Sequence, residues 1–80
     1  MELVIGQVVE STAGKDKNQL LVVTRTEENK VYLCDGKQRP LQRAKAKNIK
    51  HIKATKTVLS NEKMATNREL RRSLKQLSDA

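Results

Sequence analysis

Eighty residues with a formal net charge of +8 leave room for one small domain with a thin core, since a chain of this length buries only about 60–65% of its unfolded surface. That excludes a second lobe and leaves little to support a deep catalytic cleft, so a non-enzymatic role is expected. A charge excess of this size calls for a polyanionic partner, nucleic acid before an anionic membrane.

In chain order, the N-terminal MELVIG lacks the basic stretch followed by a long apolar one that marks a signal peptide. No window approaches the roughly 20 apolar residues of a membrane span, and a cytoplasmic protein is expected. LVIGQVVES (3–11) and QLLVVTRT (19–26) are rich in β-branched residues and flank AGKDKN, a turn-forming mixture, so they predict a hairpin. Asp16, between Lys15 and Lys17, is expected to fix that loop by accepting backbone amides in an Asx-type turn. KVYLC (30–34) resumes the strand pattern and ends in Asp35-Gly36, the pair suited to a type I′ turn. Tyr32, the one aromatic residue, is read as packing in the core or at its rim. Cys34, the one cysteine, leaves no intramolecular disulfide and no Cys-based zinc site, and reads as a small buried hydrophobe.

QRPLQ (38–42) is expected to form a short or edge strand, because Pro40 cannot donate to a ladder. In NIKHIKAT, Ile49 and Ile52 are three apart, which predicts a turn or bulge before a last strand at about His51 to Thr55. Five short strands linked by tight turns point to a small barrel. Thr66-Asn67-Arg68-Glu69 has the capping-box spacing. Leu70, Leu74 and Leu77 then mark one apolar stripe of a helix of about three turns, too short to stand alone in water. It must dock, on its own barrel or on a partner. The expected division is a barrel over 1–56, a connector over 57–66 and a helix over 67–78.

Charge is uneven along the chain. Residues 1–36 carry −2, residues 57–80 carry +2, and residues 37–56 carry eight Lys or Arg with no Asp or Glu. The proline and the isoleucines within that last segment tie it to the fold, which argues against a flexible nuclear-localisation tract at 43–53.

The stretch GQVVESTAGKDKNQLLVV resembles the KOW motif, a strand–loop–strand unit of several ribosomal proteins and transcription elongation factors. Gly14 occupies the position of the loop glycine, where a missing Cβ permits positive φ and close approach of the backbone. Asn18 stands where the family often has a second glycine; asparagine is the residue that best tolerates the left-handed conformation after glycine. VYLCDGKQRPLQRAKAKNIKHIKAT is similar to the remainder of small KOW-domain RNA-binding proteins related to large-subunit ribosomal proteins, with Asp35, Gly36 and Arg39 as a DG-x-x-R turn. Lys47, Asn48, Lys50 and His51 match a K-N-x-K-H stretch. The likeness covers about residues 4–56 and implies an SH3-like β-barrel that binds RNA, ribosomal RNA first.

The candidate phosphate contacts are Lys37, Arg39, Arg43, Lys45, Lys47, Lys50 and Lys53, joined by Lys15 and Lys17 from the loop. Gly14, Asn18, Asp35 and Gly36 shape the loops. His51 lacks the companions that a metal site or catalysis needs; it reads as packing or bonding to backbone, with RNA contact as the other role. Tyr32 offers a single stacking surface, so recognition of backbone and shape in folded RNA is expected. No cofactor or metal is implied, and the free protein is expected to be a monomer. An interaction adaptor for transcription or translation proteins, using the barrel and the leucine stripe, is the alternative.

Overall fold

The computed structural model describes residues 3–79. Five strands, β1 (Gln7–Ser11), β2 (Leu20–Thr26), β3 (Lys30–Cys34), β4 (Lys45–Asn48) and β5 (Ile52–Val58), precede one helix, α1 (Asn67–Asp79). The strands form one antiparallel sheet in the order β4-β3-β2-β1-β5. The protein is therefore mainly β, a small barrel-like sheet with a C-terminal helix.

Both faces of the three central strands are buried, which explains why β2 reads LLVV rather than as strict alternation. Strand register places Val8 opposite Val22 and Val22 opposite Cys34. Those three side chains meet Leu59, Leu70 and Leu74, so α1 covers that face. Val9, Leu21, Val23, Val31, Leu33 and Ile52 cluster on the other face, inside the curl of the sheet. β-Bulges between Gln7 and Val9 and between Val23 and Arg25 help the strands bend.

The helix begins where its sequence predicts, with one half of the capping box formed: Glu69 N–H donates to Thr66 Oγ1 at 3.1 Å, and among the described residues the Glu69 carboxylate makes no return bond to the Thr66 amide. Leu70 and Leu74 are buried and Leu77 packs against the same cluster, so the leucine stripe docks on the chain's own sheet. Leu59, just beyond β5, also joins that core.

Several local expectations are corrected. β1 starts at Gln7, not Leu3; Ile5 and Gly6 form a turn in which Gly6 has φ +94°. A Cβ there would lie 2.6 Å from the Leu59 carbonyl oxygen. QRPLQ is not a strand: residues 36–39 bend, Leu41–Arg43 form a 3-10 turn, and the fourth strand is KAKN. Pro40 removes one donor, and Leu41 N–H donates to Asn67 Oδ1 at 2.7 Å instead of to a ladder. Asp35-Gly36 makes no type I′ turn, because only Gly36 has positive φ. The Asp35 carboxylate instead accepts from the amides of Lys37 and Arg39, each at 2.8 Å. Ile49 lies in the 3-10 turn Ile49–His51 and is exposed, so of the two isoleucines only Ile52 enters the core.

Candidate functional site

The β1–β2 loop is the centre of the basic end of the barrel. Gly14 at φ +79° and Asn18 at φ +70° both take the left-handed conformation their residue types favour. Between them Asp16 is folded inward, its side chain only 4% exposed. Among the described residues no backbone amide holds its carboxylate, so the expected Asx-type turn does not form. Oδ2 instead faces Arg39 Nη2 at 3.6 Å, Lys45 Nζ at 3.7 Å and Lys47 Nζ at 4.0 Å.

Lys45 and Lys47 reach this point because β4 alternates. They stand opposite Leu33 and Val31, on the face whose apolar side chains fill the curl of the sheet. Inward-pointing charges on an edge strand also discourage pairing with another chain. Lys47 is 10% exposed, and its ammonium donates to Ser11 Oγ at 2.6 Å and to the Ala13 carbonyl at 2.7 Å. Its charge is used to close the β1–β2 loop against β4. Lys45, with 43% exposure, and Arg39, with 27%, keep access to solvent.

One carboxylate among three cations leaves a local surplus of two positive charges. Arg39 Nε is buried without a hydrogen-bond partner, so this guanidinium is not saturated by the protein. Thr12 N–H donates to the His51 carbonyl at 2.9 Å, which ties the 3-10 turn carrying Lys50 to the same loop. Lys15, Lys17 and Lys50 are exposed around it. His51 is exposed as well, and its backbone rather than its ring makes the bond, contrary to the packed role expected of it.

The remaining predicted residues lie elsewhere. Arg43 is exposed on the Leu41–Arg43 turn, and Lys53 is exposed on β5 opposite Glu10. Lys37, on the Asp35–Arg39 loop, faces α1 instead of Asp16: it lines an open hollow with Arg68, Arg71, Arg72 and Lys75. Asp35 and Gly36 shape this loop, and Gly36 (φ +80°) lies so close to the Asn67 carbonyl and the Arg71 amide that no side chain fits. Tyr32 sits at the rim, its hydroxyl donating to Glu27 Oε1 at 3.2 Å and Arg25 lying 5.2 Å from its ring centroid. One face of the ring is thus occupied by a cation.

Sequence reasoning missed Asp16 as an organiser of cations and stopped its basic surface at Lys53. Nothing local marks that role of Asp16, because its partners lie more than twenty residues away. The helix cations were legible in principle, from the spacing 68, 71, 72 and 75 opposite the leucine stripe. No family model and no curated protein matches this chain. No helix among the described residues is long and apolar enough to cross a membrane.

Proposed function

We propose that this protein is a non-catalytic RNA-binding module of the KOW type, which holds the phosphates of folded RNA, ribosomal RNA first, on the basic end of its barrel. The observation that carries the reading is charge in excess: of the eight cations in residues 37–56, six are exposed, the segment contains no carboxylate, and Asp16 answers to three of the eight. An ordinary soluble surface mixes signs. Phosphates gain from such a surface by releasing counterions, with little dependence on base identity. Tyr32 is the one aromatic residue and Arg25 takes one face of its ring, whereas single-strand readers usually offer several stacking platforms, which favours folded RNA. A large-subunit particle or its assembly intermediate in the cytoplasm presents that target.

The adaptor reading has less support, because the leucine stripe it would use is already packed on the sheet. Sedimentation of native lysate through sucrose tests the proposal. At low salt the protein should travel with RNA particles, and high salt or ribonuclease should return it to the top. Recovery only in the top fractions at low salt, free of RNA, would refute it.

A further inference from the structure

The exposed face of α1 is a second concentration of charge, outside the segment that the sequence singles out. Arg68, Arg71, Arg72 and Lys75 follow at i, i+3, i+4 and i+7, so they share one stripe about 10 Å long. Leu70, Ser73 and Leu74 are buried on the opposite side. Lys37 completes the hollow these four line, and no carboxylate lines it. On the stripe's own positions Asp79 is the first acidic residue, a full turn past Lys75; Glu69 flanks the stripe three residues before Arg72 and forms no ion pair with it.

This arrangement works against the helix that carries it. Like charges at i, i+4, such as Arg68 with Arg72 and Arg71 with Lys75, repel one another. Cations in the first turns also oppose the positive end of the helix dipole. Among the described residues, none of these five cations forms an ion pair with a carboxylate. A basic amphipathic helix often lies on a membrane, but here the apolar side is consumed by the core. The charged side alone faces outward, and its complement is a polyanion with regularly spaced charges.

We infer that Lys37 and the Arg68, Arg71, Arg72, Lys75 face of α1 form a second phosphate-binding surface, which engages about two further phosphates of the same RNA. This rests on the RNA reading and extends its site. The two surfaces are joined structurally. A groove lined by Asn18, Asp35, Lys37, Arg71 and Lys75 leads from the β1–β2 loop to the helix. The Asp35–Arg39 loop sends Arg39 to Asp16 on one side and Lys37 to the helix on the other.

The test compares full-length variants binding a structured RNA hairpin by fluorescence anisotropy across a salt series. Substituting Arg68, Arg71, Arg72 and Lys75 by Gln keeps good helix formers, and circular dichroism verifies the fold. Binding should weaken about tenfold at physiological salt. The slope of log K against log salt should become shallower by about 1.4–1.8, from two lost phosphates. Replacing the three arginines by Lys should preserve the slope. An unchanged slope in the Gln variant, with binding still weakened by Lys45→Gln, Lys50→Gln and Lys53→Gln together, would overturn the helix surface and leave the RNA reading intact. Loss of retention on poly-glutamate without loss of RNA binding would assign the face to an acidic protein and also overturn it. Failure of the unaltered protein to bind the hairpin at low salt would refute the RNA reading itself.

Discussion

Asp16 is the residue whose removal best separates structure from binding. It is nearly buried, and three cations converge on it, so Asp16→Asn leaves Lys47 without its carboxylate in a site with little solvent. Breaking a fully buried pair costs about 3–5 kcal/mol; with Arg39 and Lys45 partly exposed, about 1–3 kcal/mol is expected, read as a lower Tm. RNA affinity should move the other way, rising a few-fold because Arg39 and Lys45 are released to phosphate. A variant both less stable and weaker in binding would contradict this division of roles. Cys34 gives a prediction in pH. Burial raises its thiol above the ordinary 9.0, Asp35 adds to the shift, and a hydrogen bond with Thr24 opposes it. The unfolded thiol ionises first, so the native state holds the extra proton and unfolding free energy falls as pH rises past 9.0. The stabilisation is complete below that value and lost as pH climbs through the folded one. The difference between the parent protein and Cys34→Ala, followed by urea denaturation from pH 7 to 10.5, should show that decline; a pH-independent difference would contradict it.

At the scale of elements, the turn at Asp35–Arg39 matters more than its length suggests. Gly36 lies against the first turn of α1, where its backbone combines φ +80° with an approach that leaves no room for a Cβ. Gly36→Ala should therefore cost about 2 kcal/mol or more and loosen the helix from the sheet, measurable as faster hydrogen exchange at Leu70 and Leu74. Helix boundaries, β2, β3 and the start of the last strand were readable in the sequence because local signals governed them: a cap, β-branched runs, a leucine stripe; β5 runs three residues past the expected Thr55, to Val58. β4 was not. KAKN carries no apolar alternation, since its inward positions are Lys45 and Lys47, and only a carboxylate supplied by a distant loop makes lysine acceptable there. QRPLQ looked more strand-like, yet its backbone is satisfied by Asn67 at the start of α1, a partner that no local pattern announces.

Across the whole molecule, the charge segregation seen in the sequence becomes two surfaces on a small body whose radius of gyration is 11.1 Å. That a basic surface exists was legible from composition and from the run of residues 37–56. How the cations divide was not: Lys47 turns inward, Arg39 and Lys45 share one anion, and Lys37 joins the helix. Leu74→Asp, which places a charge in the core beneath α1, should unfold the helix or the whole domain, and so lower RNA binding through the lost helix surface as well as through the unfolded fraction. The measurement that bears most directly on the RNA reading is the affinity of the unaltered protein for a structured RNA hairpin between about 50 and 300 mM salt. With about five or more phosphates engaged, log K should fall against log salt with a slope of about −3.5 or steeper. A slope shallower than about −1, or no binding at 50 mM, would contradict phosphate recognition by these cations.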